Sequence, residues 1–225
     1  MSLHYVKIEG ILVLKSGTRI GGSKEGDNNA VADVPPILRH PITREPYIPG
    51  SSLKGKMRSL LEYQHRQAEV MKTGLPCGCM KKDCFVCVIF GPHIQGRDRN
   101  HELGPTRLLM RDALLLRSPE GKVMDGSYEW LKTHEAEEGR DSELKQENIG
   151  DRKTGIAAGK GLRTIERIPA GAKFSFRLSL RIFGGDDEIK FKAFIEEGLD
   201  LLQQDALGGS GSRGYGEIEI TLNKN

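Results

Sequence analysis

Residues 173–183 read KFSFRLSLRIF. Phe174, Phe176, Leu178, Leu180 and Ile182 occupy alternate positions, and Lys173, Ser175, Arg177, Ser179 and Arg181 fill the rest. A period of two sends the sets to opposite faces, which predicts a half-buried strand with a basic exposed side. Downstream, Ile189 to Leu207 has helical spacing, with Phe191, Phe194, Ile195, Leu199, Leu201 and Leu202 forming a broad apolar face. A glycine loop, GGSGSRGYG at 208–216, then leads into a last strand, GEIEITL at 216–222. Upstream, LHYVKIEGILVL at 3–14 reads as an opening strand and RLLMRDALLL at 107–116 as a second. Between these two, a helix is expected from the IPGSS segment to about Thr73, capped by Ser51 or Ser52, with Leu53, Met57, Leu60, Leu61 and Gln64 on one face. Residues 118–160 are poor in apolar side chains and read as an insertion. The resulting order, strand–helix–strand, insertion, strand–helix–strand, predicts an α+β, ferredoxin-like (RRM-like) core in a single domain over 1–225. RNA-recognition domains share this layout with many unrelated proteins, so fold alone does not give function.

Of 225 residues, 37% are hydrophobic and 29% charged, which excludes a wholly disordered chain. No apolar run approaches a membrane span, and the N-terminus has no leader pattern, so a soluble cytoplasmic protein is expected. The formal net charge is only +3. The basic residues nevertheless cluster, as Lys54, Lys56 and Arg58 and as Arg152, Lys153, Lys160, Arg163 and Arg167, while acidic residues gather elsewhere. That segregation allows a positive face for phosphates.

Two phosphate-binding patterns fail on context. Gly50 to Lys56 fits G-x4-G-K, but Met57 stands where a hydroxyl must hold magnesium. Gly209-x-Gly211-x-x-Gly214 follows a helix and opens a strand, the reverse of a dinucleotide loop. The glycine loop remains a place where backbone amides and Arg213 can meet a phosphate, or a simple tight connection. All four cysteines, Cys77, Cys79, Cys84 and Cys87, form C-x-C-x4-C-x2-C in a small insertion at about 74–100. Four thiolates suit a closed, structural zinc site, with disulfides or unligated thiols as alternatives. The C-x-C pair is tight enough that His93 or His101 could replace one cysteine.

IPGSSLKGKMRSLLE at 48–62 resembles the backbone subunits of type III-A CRISPR effector complexes, members of the RAMP superfamily. The resemblance extends through Ile20-Gly21-Gly22, ADVPPILRHPITREPYIPGSSLKGKMR, Phe90-Gly91, RLLMRDALL, ENIGDRKTGIAAGKGLRTIERIPAG and LGGSGSRGYGEIEI, in the expected order over most of the chain. It implies a guide-RNA-binding subunit that polymerises with further copies of itself, beside other subunits of the complex, and that cleaves complementary target RNA at regular intervals. A thumb-like hairpin, the insertion at about 118–160, would carry Arg152 and Lys153. Ser51, Ser52, Lys54, Lys56, Arg58, Arg163, Arg167 and Arg213 would contact RNA. Asp33 would be the catalytic residue, with Asp27 its nearest competitor. It would take the 2′-OH proton or hold a divalent cation, expected to be Mg2+, and yield a 2′,3′-cyclic phosphate and a 5′-OH. Many relatives have histidine where this chain has Arg19, which removes a neutral base but leaves a phosphate ligand. A non-catalytic RNA scaffold, the equivalent type III-B subunit and a stand-alone zinc-bearing RNA-binding module are the competing readings.

Overall fold

The computed structural model describes residues 3–21, 34, 36–94, 101–117, 142–157 and 161–223. Its core sheet contains β1 (Leu3–Leu14), β2 (Leu108–Met110), β3 (Leu114–Leu115), β6 (Lys173–Phe183) and β7 (Ile218–Leu222). The strand order is β2-β6-β1-β7, with β3 continuing the β2 edge against β6. Every pairing is antiparallel. Two helices, α1 (Gly50–Thr73) and α2 (Glu188–Gln204), complete the ferredoxin-like pattern. A separate two-stranded hairpin, β4 (Glu143–Glu147) with β5 (Arg163–Arg167), stands apart from the main sheet. The inserted hairpin therefore runs on to Arg167, past the boundary expected near residue 160.

The alternation of β6 holds at every position: Phe174, Phe176, Leu178, Leu180 and Ile182 are buried. They meet Ile8, Leu12 and Leu14 of β1 and the inward faces of both helices. Leu53, Met57 and Leu61 are buried on α1, whereas Gln64, expected on the same face, is exposed. Gly198 of α2 lies against Met57 and Leu61, where a Cβ would crowd the tips of both side chains.

The cap of α1 differs from expectation. The N-cap residue is Pro49, and neither serine provides a side-chain cap. Asp112 takes that role from the other side of the chain fold, its Oδ1 accepting the Gly50 N–H at 2.8 Å. Asp112 can do so because the edge strand slips by one residue between the Leu108–Leu180 and Leu114–Ser175 registers, a bulge that turns its side chain toward the helix start.

Arg107 closes the far end of the core. Its Nε and one terminal nitrogen bond both oxygens of Asp186 at 3.0 Å, and its guanidinium lies 4.8 Å from the Phe183 ring centroid. Burial works against the Asp186 carboxylate, but the Arg107 bonds and the Phe183 N–H outweigh it and hold its pKa below the usual carboxylate range. A depressed folded-state pKa gives stability that is present above the unfolded pKa and lost as pH falls through the folded one. Asp186→Asn is therefore expected to destabilise the protein at neutral pH. The difference from the parent, measured by urea unfolding, should shrink steadily below about pH 4.

Candidate nucleic-acid interface and metal centre

The segment after β1 is the hub of one end of the sheet. Thr18 exchanges backbone hydrogen bonds with Ile168, just beyond β5, at 2.8 and 2.9 Å. Arg19 O accepts the Gly209 N–H at 2.9 Å, and Ile20 O accepts that of Leu38 at 2.8 Å. The hairpin base, the glycine loop and the 36–39 segment thus meet on three consecutive residues, Thr18 to Ile20. Gly17 packs close here: a Cβ would displace the Arg167 guanidinium and the Glu143 carboxylate. Gly208 and Gly216, both at positive φ, let the glycine loop pass close to Arg19 O and Leu207 respectively.

Tyr215 ties the loop to the hairpin. Its hydroxyl donates to Glu147 at 2.6 Å, and Lys145 and Arg167 lie 4.5 and 4.8 Å from its ring centroid. Glu147 also pairs with Arg163 at 2.8 Å and stands 3.6 Å from Arg213. The Tyr215 hydrogen bond, with Arg163 and Arg213, holds the Glu147 pKa below the usual carboxylate range. Across the hub, Glu166 is buried and accepts from Ile37 N at 2.8 Å, from Arg39 at 2.9 Å and from the Ser142 hydroxyl. These carboxylates and Tyr215 were invisible in the sequence reading, since their partners lie 68 and 129 positions away.

Arg163, Arg167 and Arg213 come together, but each is engaged by protein: Arg163 by Glu147, Arg167 by Glu143, Arg213 by Ser210 and Glu147. The α1 cations are likewise occupied. Lys54 donates to Leu108 O at 3.1 Å, Lys56 pairs with Asp205 at 3.0 Å, and Arg58 bonds Glu62 and Cys77 O, both at 2.8 Å. Ser51 is exposed and Ser52 half-buried at the helix start. Arg152 and Lys153 are exposed on a turn built by the Asp151 carboxylate, which accepts from the N–H groups of Lys153 and Thr154. The Nε of Arg19, like those of Arg39, Arg66 and Arg167, is buried without a hydrogen-bond partner among the described residues, but those three have carboxylate partners and Arg19 has none there. Asp33, Asp27 and Lys160 lie outside the described residues, which resume at Val34, a buried side chain.

The cysteines converge. The Sγ atoms of Cys77, Cys79, Cys84 and Cys87 all lie within 4.8 Å of one another. Separations of 3.8 Å for Cys77–Cys84 and Cys79–Cys87, and 3.6 Å for Cys77–Cys87, match the edge of about 3.8 Å that a tetrahedron of 2.3 Å metal–sulfur bonds requires. The four can hold a metal ion; neither His93 nor His101 joins the set. A hydrogen bond from Cys87 pushes the Cys84 thiol down to about 5, while burial pushes that of Cys77 up. Buried Glu62 accepts the Cys77 N–H at 2.8 Å and Arg58 holds Cys77 O, so α1 carries the cluster directly.

Comparison with known proteins places this arrangement. The model of the RAMP superfamily matches residues 12–219. A protein of Methanothermobacter thermautotrophicus named CRISPR system Cms endoribonuclease Csm3 is 40% identical over 225 residues, covering 95% of this chain and 82% of the relative. Its namesake in Methanocaldococcus jannaschii is 41% identical over 217 residues, covering 96% of this chain and 78% of the relative. Among solved structures, the Csm3–Csm4 subcomplex of a type III-A CRISPR–Cas interference complex matches with a TM-score of 0.54 and 32% identity, over 98% of this chain and 77% of the other. A type III-B Cmr-beta complex bound to cognate target RNA matches with a TM-score of 0.57 at 14% identity, over 96% and 97% of the chains, a likeness of fold alone.

Proposed function

The chain belongs to the RAMP superfamily, and on that footing we propose that it is a guide-RNA-binding subunit of a type III-A CRISPR interference complex and an endoribonuclease acting on complementary target RNA. The observation that carries this reading is its homology, over nearly its whole length, to proteins named as Csm3 endoribonucleases. The likeness to a type III-B assembly is one of fold only, so the type III-A assignment takes precedence. Several copies line up along the guide, beside other subunits of the complex, in the cytoplasm.

The hub supports a phosphate path. Arg19 has a buried guanidinium nitrogen with no partner among the described residues, beside a glycine loop that allows close backbone approach. A buried donor left unpaired in the protein is costly, and an RNA phosphate oxygen would satisfy it. The ion pairs on Arg163, Arg167 and Arg213 fix the hairpin that acts as the thumb, with Arg152 and Lys153 exposed for RNA. At the α1 start, Ser51, Ser52, Lys54, Lys56 and Arg58 border the guide, Arg58 acting mainly by holding the cysteine insertion.

Asp33 is the residue of the chemistry. Its carboxylate takes the 2′-OH proton, or holds a divalent cation, as Mg2+, that stabilises developing charge. The 2′-oxygen attacks its own phosphorus, the P–O5′ bond breaks, and the departing 5′-oxygen takes up a proton. The four cysteines hold a structural Zn2+, closed to water. A complex reconstituted with guide RNA tests this: complementary target should be cut into fragments ending in a 2′,3′-cyclic phosphate and a 5′-OH. Tight target binding without any cleavage would favour the scaffold reading instead.

A further inference from the structure

The exposed side of the core sheet, away from α1 and α2, is unused by the function proposed above. Along it, Tyr5 faces Arg181, Lys7 faces Ser179 and Glu9 faces Arg177 across the β1–β6 register, with Lys173 at the end of the row. Arg111 sits on the edge bulge and, with Arg177, Ser175 and Asn223, lines a cavity of about 290 Å³. Lys7, Arg111, Lys173, Arg177 and Arg181 have no ion pair or side-chain hydrogen bond among the described residues. This contrasts with Lys54, Lys56 and Arg58 of α1, Arg163 and Arg167 of the hairpin and Arg213 of the glycine loop, each of which has a protein partner. On the acidic side the face offers Glu9, and Glu219, which Lys15 holds at 3.1 Å. Asp112 is committed to the start of α1. Tyr5 is 53% exposed, an aromatic ring standing at the edge of this row.

We propose that this open sheet face is a second RNA-binding surface, which lays a single strand along the Arg177–Arg181–Lys7 row with Tyr5 stacking on a base. Free cations spaced along one strand match phosphates spaced along another, and an exposed ring takes any base because every base has a π-face. A serine separates successive cations on β6 and supplies a small hydroxyl donor rather than bulk that would keep a backbone away. The positive field reaches around the sheet edge to Lys54, whose pKa is lowered first by burial and then by the charges of Arg58 and Arg181. This surface deepens the RNA-binding reading and rests on it.

The test uses the full chain and a fluorescein-labelled polyuridine strand, with affinity measured across a salt series. The triple variant Lys7→Ala, Arg177→Ala, Arg181→Ala should bind on the order of tenfold more weakly, and its salt slope should flatten by about 2, the loss of three phosphate contacts on a single strand. Its melting temperature should match the parent's, since these side chains hold nothing else in the fold. A 4-thiouridine strand should cross-link at Tyr5 in the parent and much less in the triple variant. The paired variant Arg152→Ala, Lys153→Ala separates the two readings. If it weakens binding while the triple variant does not, the sheet face is not an RNA surface and the proposed function stands. If the parent itself does not bind RNA, both readings fall. A triple variant that keeps RNA affinity but loses self-association would make this face a protein interface and overturn the inference.

Discussion

Chelation of the metal is expected to lower the melting temperature of the protein by about 10 °C, and Cys87→Ser to do the same with metal present. The four sulfurs have the separations of a tetrahedral thiolate site, and metal binding free energy becomes folding free energy when the unfolded chain has no site. The insertion is no independent domain: Cys77, Cys84 and Cys87 are buried in the same core as Leu61 and Phe191. Losing the ion leaves like-charged or unsatisfied sulfurs beside Glu62 and releases the Cys77 backbone from Arg58. A cost of about 4 kcal/mol, at 2–4 °C per kcal/mol for a chain of this size, gives the stated shift. Differential scanning fluorimetry with and without a chelator, paired with elemental analysis for zinc, measures it. An unchanged melting temperature in both experiments would make these ordinary free thiols.

Glu166→Ala should cost about 3–5 kcal/mol and depress target cleavage as well. Removing one partner of a buried charged network is costly because the other groups stay behind in low dielectric. Glu166 receives the Ile37 N–H, the Arg39 guanidinium, whose side chain is only 8% exposed, and the Ser142 hydroxyl. Ile37 and Arg39 follow closely on Asp33 in sequence, and Glu166 and Ser142 belong to the hairpin and its lead-in. The substitution should therefore raise hydrogen exchange at 36–39 and around Ser142, with a smaller effect from Glu166→Gln, which keeps an acceptor. Unaltered stability and exchange would show that this network does not join the two segments.

Much of the core was legible because its signals are local. The alternation at 173–183 needs no distant residue to be read, and α2 shows its apolar face at helical spacing. The cysteine cluster was legible for the same reason: eleven residues contain all four thiols. What sequence could not show is which distant group satisfies a local need. The start of α1 has two capping serines in sequence, yet Asp112 takes the role from an edge bulge 62 residues away. Arg58 and Lys54 read as free cations, but a helix packed against the cysteine insertion and the edge strand gives them internal partners. Conversely the basic side of β6, plain in the alternation, gained its meaning only once the fold left those cations unpaired.

The proposed cleavage of target RNA turns on Asp33. The direct measurement compares the parent complex, assembled on guide RNA, with one carrying Asp33→Ala, with cleavage and target binding followed in the same samples. Loss of cleavage with binding unchanged is the predicted result. Equal cleavage by both complexes would contradict it.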